Sequence, residues 1–164
     1  LRDEGSPNVD SLLWFVINVL PLIEREIPDI ELLVVGDSSA PSLASIKRDN
    51  IKLAGRLDSI EASYNKCRVF IAPTRFAAGI PHKVHEAAAH GIPSVTTDLL
   101  AEQLGWNDED QLLVADTAEH YAAQCVRLYQ DSELWNKVRA AGLAAVAEDC
   151  SDEKFQATLK SLFP

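Results

Sequence analysis

Cysteine is scarce in this sequence. Cys67, Cys125 and Cys150 are odd in number and share no close spacing, so they fit neither a disulfide framework nor a zinc site. Reduced, mostly buried thiols in a cytoplasmic compartment are the simplest account. Long apolar runs are also missing. The longest, Leu12 to Ile23, is broken by Asn18 and Pro21 and is too short to span a bilayer. No signal peptide is visible, because Leu1 is followed at once by Arg2, Asp3 and Glu4. The first residue is not Met, which suggests a chain cut from something longer. Positive charge is in deficit, with 15 Lys and Arg against 25 Asp and Glu for a net charge of −10. That balance argues against binding nucleic acid or an anionic membrane through the overall field. A local cationic pocket for a phosphate is still open, since it needs only a few groups.

What remains is a globular composition. Of 164 residues, 47% are apolar and 24% charged, and the Pro and Gly are scattered without a low-complexity run. This suits one soluble domain over residues 1–164 with a substantial core. Ser11 to Ile27 repeats apolar residues at helical spacing, with Asp10 as N-cap and Pro28 as terminator. Glu31 to Gly36 reads as a buried parallel strand, Ser42 to Arg48 as a short helix and Ile51 to Gly55 as a second strand. Ser59 to Lys66 reads as helix and Arg68 to Ala72 as a third strand. His82 to His90 reads as helix with Gly91 at its end. Pro93 to Thr97 and Gln111 to Ala115 supply two more strands. Helices over Ala118–Gln130, Ser132–Val146 and Asp152–Leu162 follow. Alternation of this kind builds βαβ units around a parallel sheet, with ligands gathering at the carboxyl ends of the strands.

Among those strand ends the loop Pro73 to Pro81 carries the most unusual chemistry. A strand ends, a small-residue turn with Gly79 follows, and a helix begins near Pro81, so that helix N–H groups and dipole offer an anion site. Lys83 and Arg75 add charge suited to a diphosphate. Glu86 projects from the same helix face as Lys83, and a carboxylate there is able to accept two hydrogen bonds from vicinal hydroxyls. Plainer readings stand beside these. Gly79 is also an ordinary turn glycine, and Lys83 with Glu86 also makes an ordinary i,i+3 surface ion pair. His82, His85 and Glu86 suggest a metal but lack a further well-placed ligand. Ala87, Ala88 and Ala89 mark close helix-to-sheet packing. Physical chemistry alone ends at an α/β domain with a phosphate pocket before residue 82.

At this loop the sequence resembles a known family. Ile71-Ala-Pro-Thr-Arg75, Gly79, Lys83, Glu86-Ala87, Gly91-Ile-Pro93 and Val95 are similar to the donor-site signature of retaining, GT-B-fold group 1 (family 4) glycosyltransferases. The matching branch reads roughly A-P-x-R-x-G-A-G-x-x-x-K-V-x-E-A-x-A-x-G-x-P-V-V. Pro7 to Asp10, Trp14-Phe15 and Val19 to Pro21 look like that branch's first C-domain helix. Pro28-Asp29 through Gly36, Ala101-Glu102, Leu104, Ala115-Asp116 and Trp135 through Ser151 continue the likeness over nearly the whole chain.

The resemblance implies a Rossmann-like three-layer α/β/α sandwich with a parallel sheet, the C-terminal half of a GT-B fold. It implies a nucleotide-diphospho-sugar as donor, transfer to a glycan or lipid-linked acceptor in cell-surface polysaccharide synthesis, and neither cofactor nor metal. Glu86 resembles the second glutamate of the E-x7-E motif, which holds the ribose hydroxyls. Gly79 and Ile80 resemble the turn that meets the distal phosphate and sugar, with Lys83 and Arg75 as the charged positions of the loop. Gly55, Arg56 and Leu57 match the turn that meets the base, or form a plain turn. The acceptor pocket and a catalytic histidine belong to an N-terminal domain, and the C-domain's own first strand is expected upstream of Leu1, so no catalytic residue is expected within 1–164. Three departures stand out: Ala78 replaces the first glutamate of the motif, Pro81 and His82 replace a commoner Lys-Gly, and Gln103 replaces a glycine. Two rival readings follow, a non-catalytic nucleotide-sugar-binding module and a nucleotide-sugar 2-epimerase.

Overall fold

The computed structural model describes residues 1–46, 48–77 and 79–162. The chain begins with α1 (Pro7–Trp14), passes unbroken through a π-helical turn (Phe15–Val19) and continues as α2 (Leu20–Glu26). Asp10 is not the cap. Ser6 is, because Pro7 takes the first helical position, where its missing N–H is no loss and its φ is already helical. Ser6 Oγ accepts from the Val9 N–H at 3.3 Å, satisfying one orphan donor of the first turn. Asp10 stands instead inside that turn, where the helix dipole favours its charge. In the π turn the Leu20 N–H donates to the Phe15 carbonyl, and Asn18 Nδ2 donates to the Trp14 carbonyl at 3.1 Å.

The strands are parallel and short. β1 (Leu32–Val35) pairs with β2 (Ile51–Gly55), while β3 (Phe70–Ala72), β4 (Ser94–Thr96) and β5 (Leu113–Val114) form a second sheet in that order. Each lies within its expected segment, but the single continuous sheet of the sequence reading is here two. A cavity of about 400 Å³ separates them, lined by Leu32 to Gly36 on one side and by Phe70, Ile71 and Pro73 on the other. Among the described residues, β1 and β3 therefore each keep one edge without a partner strand.

The connecting helices set the walls of this cavity. A 3₁₀ turn, Pro41–Ile46, replaces the expected helix Ser42–Arg48. Within Ser59–Lys66 only α3 (Glu61–Tyr64) is helical, and Ser59 Oγ accepts from the Glu61 N–H at 3.3 Å ahead of that turn. Then come α4 (His82–Ala89), α5 (Asp98–Leu104), α6 (Ala118–Gln130), α7 (Ser132–Asp149) and α8 (Asp152–Leu162). α5 has no counterpart in the sequence reading. It follows β4 directly and stops where Gly105 turns left-handed at φ 69°. α7 runs past Val146 to Asp149, and Asp131 Oδ1 caps its start by accepting from the Glu133 and Leu134 N–H groups.

Two features fix the layers. Tyr121, fully buried on α6, packs edge-on against Trp14 and Phe15. Its hydroxyl donates to the Val95 carbonyl at 2.5 Å and accepts from the Ala72 N–H at 3.1 Å, so one side chain ties a helix to β3 and β4. On the other face the small residues of α4 serve helix–helix as well as helix–sheet packing. Ala88 is buried facing Gly142 of α7, where an added Cβ would stand 3.6 Å from the Ala88 Cβ. Gly91 ends α4 at φ 70°, and a Cβ there would lie 2.9 Å from Arg139 Nε. Because Arg139 can swing aside, the backbone dominates, and Gly91→Ala is expected to destabilise by about 1–2 kcal/mol in urea denaturation.

Candidate functional site

The cavity between the sheets is where the chemistry-bearing residues meet. α1 contributes Asn8, α3 contributes Tyr64, and α4 contributes Lys83 and Glu86 to its lining, beside the carboxyl ends of β1 and β3. Lys83 Nζ donates to Asn8 Oδ1 at 3.1 Å and to Thr74 Oγ1 at 3.0 Å. Both partners are neutral, and burial pushes the ammonium down from its ordinary value. Among the described residues no carboxylate pairs with this ammonium, which stands next to open volume. The surface ion pair Lys83–Glu86 does not form. Glu86 instead accepts from the Tyr64 hydroxyl at 3.5 Å.

The other expected residues are arranged differently. Arg75 does not line the cavity. Its guanidinium forks onto Asp10, with Nε to Oδ2 at 3.0 Å and Nη2 to Oδ1 at 2.5 Å, and lies over the Trp14 ring at 5.9 Å. Hydrogen bonding to Asp10 raises its pKa further, and its side chain keeps 47% exposure. Gly79 is left-handed at φ 89°, a conformation that favours glycine, and Ile80 beside it projects into solvent. Ala78 lies outside the described residues. Gln103, found where the resemblance prefers glycine, donates through Nε2 to the Ala77 carbonyl at 3.3 Å and so braces this loop. Pro81 is buried and precedes α4 without a side-chain cap.

Gly55, Arg56 and Leu57 follow β2 and stand outside the cavity lining. Gly55 is left-handed at φ 68°, its carbonyl accepts from the Gly36 N–H at 2.8 Å, and Arg56 Nη2 lies 3.8 Å from Asp37 Oδ2. His85 turns away from Lys83 and Glu86 towards Asp149 at 3.1 Å and Trp106. Among the described residues no three His, Cys, Asp or Glu side chains are grouped so as to hold a metal ion. None of the described helices is long and apolar enough to cross a membrane. Asn8, Thr74 and Tyr64 are the side chains that sequence reasoning did not assign to the site. Asn8 was visible only as part of the Pro7–Asp10 likeness, and nothing local marked Tyr64.

Comparison with known proteins follows the same outline. The sequence model described as glycosyl transferases group 1 matches residues 4–131. A 44.6 kDa protein of the cps region of Klebsiella pneumoniae is 21% identical over 156 residues, covering 90% of this chain and 40% of that protein. S. aureus TarM, solved with fondaparinux, alpha-GlcNAc-glycerol and UDP, superposes with a TM-score of 0.80 at 16% identity, covering 99% of this chain and 34% of that one. Anabaena HepE, solved with UDP and glucose, gives a TM-score of 0.74 at 14% identity, covering 88% and 44% respectively. The chain thus spans less than half the length of each of these three proteins.

Proposed function

Because the chain belongs to the group 1 glycosyl transferases, we propose that it is the donor-binding part of an enzyme that moves a sugar from a nucleotide-diphospho-sugar to a glycan or lipid-linked acceptor. The observation that carries this is Lys83 and Glu86 converging on one cavity at the strand ends, the cation desolvated and the carboxylate unpaired with it. In this reading Glu86 accepts from the ribose hydroxyls. Lys83 and the start of α4 face the diphosphate, where charge builds as the sugar departs, and an incoming anion raises the Lys83 pKa again. Gly79 and Ile80 face the distal phosphate and sugar, Gly55, Arg56 and Leu57 face the base, and Arg75 orders the loop through Asp10 or releases it to reach the donor. The UDP in the TarM and HepE structures favours a uridine donor. Transfer with retention, a hexosyl or deoxyhexosyl group, a cytoplasmic site and a role in cell-surface polysaccharide synthesis complete the proposal, the last supported by the cps-region relative.

The reading also assigns the gap between β1 and β3. Both facing edges belong to parallel strands, and Leu12, Phe15 and Ile60 add apolar lining beside Lys83 and Glu86. A further parallel strand from the protein upstream of Leu1 completes the sheet there, and an N-terminal domain brings the acceptor pocket. The decisive test is calorimetric titration of the full-length protein with UDP-, GDP- and dTDP-sugars, comparing wild type with Glu86→Ala. Loss of hydrogen bonds to a charged acceptor should weaken the bound donor by about tenfold or more. Unchanged affinity would sink the assignment. The Arg75–Asp10 fork favours one second reading, a nucleotide-sugar-binding module without transfer. Donor that binds the intact protein and is never consumed with any acceptor would select it.

A further inference from the structure

Glu86 has a partner that no motif flags. Tyr64 stands on the single turn α3, is only 9% exposed and lines the same cavity. Its ring stacks on His90 at 4.6 Å with 16° between planes and tilts against Phe70 at 6.2 Å. His90 follows Glu86 by one turn, at the end of the same helix, so α4 holds the ring in place on the side from which Glu86 meets its hydroxyl. Burial, reinforced by the Glu86 charge and hydrogen bond, pushes the phenol up to about 12. Over any working pH it stays protonated, and towards a carboxylate it only donates. At 3.5 Å the bond is long, as polar contacts in unliganded sites often are before a ligand tightens them.

We propose that Tyr64 is a positioning residue that selects ribonucleotide over 2′-deoxyribonucleotide donors: its hydroxyl, braced by His90 and Phe70, holds Glu86 Oε2 and leaves Oε1 to accept from the ribose diol. The chemistry is that of a three-body array. A carboxylate held at one oxygen gives up less rotational freedom when the diol arrives, and the benefit is greater for a ligand that brings both hydroxyls than for one that keeps only the 3′-hydroxyl. The proposal rests on Glu86 being the ribose acceptor, and the experiment separates the two.

Full-length wild type, Tyr64→Phe, Glu86→Gln and the double variant are titrated with whichever of UDP and GDP binds more tightly, and with its 2′-deoxy form. Tyr64→Phe should weaken the ribonucleotide about fivefold, the worth of one hydrogen bond. It should weaken the 2′-deoxynucleotide less, and the difference should vanish when Glu86 is already Gln. Equal weakening of both nucleotides, or no weakening of either, overturns the positioning role and leaves Tyr64 as packing. Preference for dTDP over both ribonucleotides overturns the selectivity. Glu86→Gln without effect on the ribonucleotide overturns the ribose reading itself, whatever Tyr64→Phe does.

Discussion

Tyr121→Ala is expected to destabilise the fold by about 3–5 kcal/mol, the range for removing a large buried aromatic. The ring is wholly enclosed between the α1–π-turn segment and the sheet, meeting Trp14 and Phe15 edge-on at 5.7 and 6.0 Å. Deleting it removes both aromatic contacts and leaves a void in rigid surroundings. Tyr121→Phe isolates the hydroxyl. The Ala72 N–H and the Val95 carbonyl then lose their shared partner inside the core, an expected cost of about 1–3 kcal/mol. Burial raises the Tyr121 pKa far above its ordinary value, so ionisation does not compete with this bridge. Equilibrium urea denaturation of the two variants measures both parts. A Phe variant as stable as wild type would show the hydroxyl bridge to be energetically idle.

Asp149→Ala should cost about 2–3 kcal/mol, and the same residue should make stability depend on acid. Burial opposes ionisation of Asp149, but hydrogen bonds from Lys154, Trp106 and His85 outweigh it and hold the carboxyl at about 2. The Trp106 bond is 2.9 Å and the His85 contact 3.1 Å, while Lys154 reaches across from α8. A carboxyl whose folded pKa is depressed contributes stability that is complete above its unfolded value near 4. The contribution is lost as the pH falls from about 4 towards 2. With 18% of the side chain exposed, solvent limits the contribution to at most about 2 kcal/mol. Denaturation midpoints between pH 2 and pH 6 test this. In wild type they should fall over that acid interval more steeply than in Asp149→Ala, and parallel curves would contradict it. Hydrogen exchange should show α8 loosening first, because Lys154 is one of its links to α7.

The fold was legible where pattern and chemistry coincide within a few residues. The strand–loop–helix from Phe70 to Ala89 could be read because a β-rich run, a left-handed glycine and a helical face follow one another directly. Lys83 and Glu86 were placed together by helical spacing alone. α5 escaped because seven residues, Asp98–Leu104, carry too little periodicity to separate from the strand before them. The helix start was misplaced because Asp10 is as good a cap by type as Ser6, and only Pro7 at the first helical position decides between them. The Arg75–Asp10 fork spans 65 positions and the Tyr64–Glu86 contact 22, separations at which no local pattern reports proximity. The resemblance implied a first strand upstream of Leu1, but the place of the gap between β1 and β3 was hidden, since strand pairing is settled by topology rather than by the content of any one strand.

The π turn at Phe15–Val19 carries a consequence for length. Pro7 to Glu26 forms one rod of about 30 Å that serves two neighbours: Asn8 at one end touches Lys83 beside the cavity, and Leu20 and Ile23 at the other are in the apolar core with Tyr121. Each residue added or removed between them turns one end against the other by roughly 100°. Ile17, 60% exposed in the middle of that turn, is thus free in identity but not in number. Substitutions there are invisible to both ends, whereas an insertion or deletion would force a choice between a seated core and an aligned asparagine. Homologues should therefore vary in residue type at the position of Ile17 while keeping the count of the turn, whose Phe15, Val16 and Val19 are buried.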